Sequence, residues 1–347
     1  MKRVTVKDIA RKADVSLGTV SRVLNGEKTV KEKNRKAVMA AIDGLNYKMN
    51  RIAQSLARNS IQLGIIIPNA WQQYFGPIRE GIMSAVRELE DYNVTAIFRE
   101  FNPLQDRGIV SQYIDEFIQN DVNGIILCPY LTDKYNRELK ILNEKGIPYV
   151  LVGTDFLDVG PHMSVNVDSY LAGNLAADFC ALTCKEDDGV AVLTGNKEML
   201  EHRMKVNGFL EGAKRNHLNV CTICETQDDP EIAYLMTERA LERYNNIRMI
   251  YVATDNSLSP CNYLRDSNKG DCVKLIVTNL FPELREYIET GMVLATIFQW
   301  PGKYGDLAVK ALYKFITNGT GQDERHLVTP NLMLRSDMLA WILKAEE

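Results

Sequence analysis

Arg22 is the side chain in this sequence best suited to reading a nucleic acid. It lies in Val15-Ser16-Leu17-Gly18-Thr19-Val20-Ser21-Arg22-Val23-Leu24-Asn25, where hydroxyls, an amide and one guanidinium alternate with apolar residues. A guanidinium presents a planar fork of donors that bonds both acceptors on a guanine edge. Thr19, Ser21 and Asn25 carry the short polar groups that hold phosphate oxygens and fix register. Elsewhere the reactive residue types are scattered. His162, His202, His217 and His326 form no metal spacing. Cys221-x-x-Cys224 has no second close pair of Cys or His to complete a zinc site. There is no glycine-rich phosphate loop, no G-x-S-x-G elbow and no His-Glu-x-x-His. The expectation is a protein that is no enzyme and holds no metal or cofactor. Its seven cysteines, odd in number and dispersed, read as reduced thiols. Val220–Cys224 alternates like a buried strand.

The elements that must present Arg22 are short. Thr5 is a candidate N-cap with Asp8 in the first turn, and Ile9, Ala10 and Ala13 fall on one helical face. Asp14-Val15 breaks that helix. Ser16 caps a second one that turns Val20, Val23 and Leu24 inward, and Asn25-Gly26 stops it. Leu17, Gly18, Ser21, Arg22 and Asn25 then face outward. Two short helices around a tight turn, with alanine allowing close approach, describe a helix-turn-helix. The charge agrees. Residues 1–60 hold 14 Lys/Arg against 5 Asp/Glu, while the other 287 hold 27 against 40. A cationic head on an anionic body is the footprint of a module that docks on phosphates.

These residues resemble the DNA-binding domain of the LacI/GalR family of transcriptional regulators. That family's V-S-x-x-T-V-S-x-V-[LI]-N string is matched over 15–25, and the likeness continues through a third helix, about 31–45, into Asn46-Tyr47. It reaches Asn50-Arg51-Ile52-Ala53-Gln54-Ser55-Leu56-Ala57, which is similar to the family's hinge helix. The resemblance implies that the second helix enters the major groove. It also implies that paired hinge helices enter the minor groove of a roughly palindromic operator, with Leu56 as the wedge. The implied DNA-binding residues are Thr5, Ser16, Leu17, Thr19, Ser21, Arg22, Asn25, Asn50, Ala53 and Leu56. Gly18 stands where relatives place a reading side chain, and Met49 where many have proline.

From Leu63 short apolar runs alternate with amphipathic helices. The runs are 63–67, 94–98, 124–128, 148–152, 190–194, 220–224, 249–253 and 274–278; helical stretches such as Ile78–Leu89, Ser169–Leu182 and Asp229–Tyr244 separate them. That rhythm predicts an α/β fold with two doubly wound parallel sheets behind an all-α helix-turn-helix domain. The body resembles the type I periplasmic-binding-protein fold, two lobes with a ligand cleft at the carboxyl ends of their strands. The expected domains are 1–48, a hinge 49–60 and a sensor 61–345. Within the sensor the N-lobe is expected at about 61–160 plus 299–322 and the C-lobe at 161–298 plus 323–345, with the first crossing near Gly160-Pro161.

By motif position the resemblance implies an effector site of Trp71, Gln72, Tyr74, Phe75, Asp155, Arg203, Thr254, Asp255, Asn279 and Gln299. Gly153 occupies the place of an aspartate common in sugar binders, and Asp155 is the candidate substitute. Aromatic faces beside polar groups suit a carbohydrate, phosphosugar or sugar acid. The expected protein is an effector-responsive repressor of carbohydrate-utilisation genes, acting as a homodimer on double-stranded DNA. The competing expectation is an activator, or a corepressor-dependent regulator that responds to a metabolite such as a purine. The N-terminus lacks the apolar run of a secretory signal and no stretch is apolar enough to span a membrane, so a cytoplasmic protein is expected. No heptad repeat follows Lys344-Ala345-Glu346-Glu347, hence a dimer rather than a tetramer.

Overall fold

The computed structural model describes residues 6–24, 30–45, 60–103, 105–106, 108–130, 134–156 and 158–346. The chain divides into two compact units, 1–59 and 60–347. The first contains helices Val6–Lys12, Leu17–Leu24 and Glu32–Gly44. Ile9, Ala10, Val20 and Val23, four of the residues expected to face inward, are buried together with Val38 and Ala41 of the third helix, and Ala13 packs partly buried against them. Asp14 turns the chain with φ 52°, a left-handed conformation that aspartate tolerates. Ser16 starts the second helix as expected. Its carbonyl accepts from Val20 N–H at 3.1 Å and its hydroxyl from Thr19 N–H at 3.2 Å.

The second unit holds twelve described strands: β1 Ile61–Pro68, β2 Val94–Phe101, β3 Gly124–Leu127, β4 Tyr149–Val152, β5 Met163–Val167, β6 Gly189–Thr194, β7 Asn219–Glu225, β8 Ile247–Val252, β9 Lys274–Thr278, β10 Val293–Phe298, β11 Arg325–Val328 and β12 Asn331–Leu334. They form two six-stranded sheets ordered β11-β5-β4-β3-β1-β2 and β12-β10-β9-β8-β6-β7. Every pairing is parallel except β10 with β12. Helices cover both faces, which is why the central strands are continuous apolar runs rather than alternating ones. Among the described residues no helix is long and apolar enough to cross a membrane.

The lobe boundaries differ from the expected ones. β5 and β11 both belong to the first sheet, so residues 163–167 and 325–328 lie in the first lobe. The first crossing follows Val167, where the Asp168 carboxylate caps the helix Ser169–Thr183 by accepting from Leu171 N–H at 2.9 Å. Gly160-Pro161 lies within the first lobe; the strand after it, Met163–Val167, is too short and mixed to show as an apolar run. A second crossing lies at Gln299-Trp300, and a third falls between β11 and β12. Val220–Cys224 also departs from expectation. β7 pairs only with β6 at the sheet edge, so Cys221 and Cys224 are half-buried free thiols rather than core residues.

In the second lobe the helices Ser169–Thr183 and Leu200–Arg215 approach closely enough to exclude side chains at their crossing. A Cβ on Gly173 would lie 2.0 Å from the Lys205 carbonyl, and one on Gly208 would lie 2.0 Å from that of Tyr170. Phe209, wholly buried next to Gly208, stacks on Tyr251 at 5.3 Å. Gly208→Ala is therefore expected to force the helices apart and lower stability by roughly 1–3 kcal/mol, as overpacking does. Thermal unfolding checks this, and an unchanged midpoint would contradict the close crossing.

Candidate functional site

On the head, Leu17 and Arg22 are exposed on the outer side of the helix Leu17–Leu24. Arg22 Nε donates to the Gly18 carbonyl at 3.2 Å, a single exposed bond that leaves the rest of the fork available. The Ser16 and Thr19 hydroxyls bond each other at 2.9 Å at the start of the helix. Gly18 leaves this face bare: a Cβ there would meet only Ser16 Oγ, at 3.8 Å. The expectations for Thr5, Asn25, Asn50, Ala53, Leu56 and the Ser21 side chain lie outside the described residues.

In the sensor a cleft opens between the carboxyl ends of the two sheets. Its cavity of about 80 Å³ has room for roughly five to eight waters, the space of one small ring. The first lobe contributes ring faces. Trp71, at φ 48°, starts the helix Gln72–Glu88, which carries Tyr74 and Phe75 in its first turn. Trp71 stacks on Tyr130 at 4.8 Å, and Phe75 meets the edge of Tyr74 at 4.9 Å. Tyr130 follows β3, and Gly153 follows β4 at φ 88°. A Cβ on Gly153 would lie 2.9 Å from the Tyr74 hydroxyl, so Tyr74 takes the space that a side chain at 153 would need.

The second lobe contributes polar groups. Glu201, His202 and Lys205 line the cavity from the first turns of the helix Leu200–Arg215, Asp228 from the loop after β7, and Thr254, Asp255 and Asn256 from the loop after β8. Asp228 is a hub. Its carboxylate accepts from the Thr254 hydroxyl at 2.7 Å and Asn196 N–H at 3.1 Å, and His202 Nε2 lies 3.4 Å away. Burial pushes its pKa upward, but His202 and these bonds together hold it below the ordinary carboxylate range. Its backbone carbonyl accepts from Trp71 Nε1–H at 3.2 Å, a direct bond between the lobes. Asp255 accepts from Asn279 Nδ2 at 2.7 Å, and burial raises its pKa. Burial likewise pushes Glu201 up to about 7 and lowers Lys205, whose ammonium donates to the Ala253 carbonyl at 3.3 Å.

Gln299 sits at the second crossing, buried, with its N–H bonded to Asn279 Oδ1 at 2.9 Å. Among the described residues Gln299 Nε2, Asn256 Nδ2 and His202 Nδ1 are buried without a hydrogen-bond partner. Buried donors left unmade cost about 1–3 kcal/mol each, so this lining is incomplete by itself.

The cleft therefore gathers Trp71, Tyr74, Phe75, Thr254, Asp255 and Gln299 from the expected set, with Asn279 behind Asp255 as its support. Three residues lie elsewhere. Gln72 is exposed and donates back to the Asn69 carbonyl at 2.9 Å. Arg203 points to solvent and donates to the carbonyls of Lys197 and Glu198 at 3.0 and 2.9 Å. At about 100° per residue, 201, 202 and 205 share a helix face that 203 does not. Asp155 is buried away from the cavity, bonded to His162 Nε2 and Arg325 Nη1, each at 2.7 Å, and to Ser164 Oγ at 3.2 Å. It does not substitute for the missing carboxylate at 153. Tyr130, Glu201, His202, Lys205, Asp228 and Asn256 escaped the sequence reading. Tyr130 and Asp228 follow recognised strands, and the i, i+1, i+4 spacing of 201, 202 and 205 was the available signal.

With this geometry the comparisons decide the family. Residues 5–50 match the model of bacterial regulatory proteins of the lacI family, and residues 63–320 match a periplasmic binding protein domain. Catabolite control protein A of Streptococcus mutans is 31% identical over 258 residues, 73% of each chain. The chain belongs to the LacI family. As a LacI-family member it is a DNA-binding transcriptional regulator with a sensor domain of the periplasmic-binding-protein type, and not an enzyme. Two solved structures share its fold. A glucose-galactose binding protein from Geobacillus stearothermophilus (GanP) covers 81% of this chain and 99% of its own, at 18% identity and a TM-score of 0.72. A complex of the transcriptional regulator CelR with cellobiose covers 96% of this chain and 100% of its own, at 21% identity and a TM-score of 0.67.

Proposed function

We propose that this LacI-family chain represses carbohydrate-utilisation genes as a homodimer on a roughly palindromic operator, under the control of a small sugar held between the lobes. The make-up of the cleft carries this reading. Ring faces from one lobe oppose carboxyl, amide and hydroxyl groups from the other, with the unpartnered Gln299 amide between them. A pyranose has apolar faces and a rim of donors and acceptors, and so complements both walls. The glucose-galactose binding protein and the cellobiose complex support the same ligand class. An uncharged sugar is favoured over a phosphosugar or sugar acid. Glu201, Asp228 and Asp255 face the cavity, while Lys205 already bonds the Ala253 carbonyl and His202 lies against Asp228.

Effector binding would change the angle between lobes joined by three crossings and so shift the hinge segments on DNA. A coupling of about 1–3 kcal/mol changes operator occupancy roughly 5–150-fold. The test is calorimetric titration of the full chain against uncharged mono- and disaccharides. Heat from several of them, and an affinity that rises with pH through about 7 as Glu201 ionises, is the expected result. Glu201→Gln should flatten that pH dependence, since the amide does not titrate. Silence from every sugar with heat from a purine would overturn the reading.

A further inference from the structure

A second cluster of reactive side chains lies away from the cleft. Cys180 and Cys184 stand one helical turn apart at the end of the helix Ser169–Thr183, and Cys184 N–H donates to the Cys180 carbonyl at 2.8 Å. Cys180 is wholly buried in the second-lobe core. Cys184 is half-buried and lines a surface cavity of about 250 Å³ with Lys185, Arg248, Lys274 and the exposed Cys272. Cys180 lowers the Cys184 pKa against the upward push of burial, and the Cys180 thiol is correspondingly raised. One thiol is thus activated and half open to solvent, with a second one helical turn behind it.

We propose that Cys180 and Cys184 form a peroxide-responsive thiol pair whose oxidation to a disulfide is transmitted to the effector cleft. The Cys184 thiolate attacks a hydroperoxide oxygen, giving a sulfenic acid and releasing water or an alcohol once a proton is taken up. The Cys180 thiol then attacks that sulfur. The S–S bond forms, the S–O bond breaks and a second water leaves. Two thiols have lost two hydrogens and two electrons to the peroxide, and a thiol reductant reverses the change.

Transmission follows from the packing. Cβ atoms four residues apart on a helix are about 5–6 Å from each other, whereas a disulfide holds them near ~3.8 Å. The last turn must therefore tighten. The same helix crosses Leu200–Arg215 at the Gly173 and Gly208 contacts, where no slack exists, and that partner helix carries Glu201, His202 and Lys205. The functional consequence rests on the sensor reading above; the disulfide and its structural effect do not.

The test uses the full reduced chain exposed to low hydrogen peroxide, then alkylation and peptide mass analysis. The expected product is a loss of about 2 Da, two hydrogens, within the peptide bearing both residues. Emission from Trp71, bonded across the cleft mouth to Asp228, should shift on oxidation and return with a dithiol. Cys184→Ser, chosen because this residue is only half-buried, should abolish both changes while keeping its thermal unfolding midpoint. Cys180→Ser should leave a sulfenic acid at Cys184 that a dione probe traps. Modification of Cys272 alone, a Cys184–Cys272 disulfide, or a Cys180–Cys184 bond with unchanged emission would each overturn the proposal. All of these readouts are free of effector, so failure of the sugar reading would show separately, as absent heat in the titration.

Discussion

Arg22→Ala is expected to abolish operator selection while leaving non-specific DNA binding nearly intact. A bidentate contact to guanine is worth about 1–3 kcal/mol of discrimination, and the proposed dimer would make it twice. Separated positions add, so the loss is roughly 2–6 kcal/mol, about 30-fold to 10⁴-fold in the specificity ratio. The competing interaction in the free protein is slight, one exposed bond from Arg22 Nε to the Gly18 carbonyl. Gly18 adds to the dependence on Arg22, because this face has no neighbouring side chain at 18 to share the readout. Arg22→Lys should fail almost as completely, since an ammonium cannot form the fork. Fluorescence anisotropy with a fragment selected from random DNA, set against a scrambled duplex, measures the ratio. A ratio within twofold of the parent would remove Arg22 from the reading role.

Asp155→Asn is the second large effect, and it falls on stability. Asp155 and His162 are buried, and His162 also bonds the Gly160 carbonyl through Nδ1 at 2.8 Å, so both ring nitrogens are engaged as donors. Burial opposes both charges, yet their mutual bond raises the His162 pKa and lowers that of Asp155. Removing the carboxylate leaves a buried cation without its anion, which costs about 3–5 kcal/mol. The pH dependence has two limbs. The Asp155 contribution exists above the ordinary carboxylate value and is lost as pH falls through its depressed one. The His162 contribution exists below the ordinary imidazole value, about 6.5, and is lost as pH rises through its raised one. The deficit of the variant should therefore be greatest in the mildly acidic interval between them and smaller on either side. Thermal or urea unfolding across that range checks it, and a deficit independent of pH would sink the ion-pair account.

What the sequence revealed divides along physical lines. Helices with strong caps were legible: Asp229 accepts from Glu231 and Ile232 N–H ahead of Pro230, and the expected helix there is observed as Pro230–Arg243. Buried parallel strands were legible because both faces demand apolar residues. The two late edge strands were not. Arg325–Val328 and Asn331–Leu334 are short and partly exposed, so neither hydrophobic run nor alternation marks them. The first of them, with β5, is what moved the lobe boundaries. In the cleft, the family resemblance placed the residues fixed by strand ends, Thr254, Asp255 and Gln299. It misplaced Arg203, because one position on a helix turns a side chain by about 100°. Asp155 was misread because nothing in the sequence marks its partners, His162 seven residues on and Arg325 170 residues away.

The late strands also govern how the molecule is made. The first sheet lacks its edge until residues 325–328 arrive, and the second lacks β12 until 331–334. The head closes its small core with residues before 46. A ribosome adds about 5–20 residues per second, so the DNA-binding module emerges complete roughly 15–60 seconds before either half of the sensor can seal. During that interval the nascent chain exposes two unfinished sheets, and chaperone dependence should concentrate there.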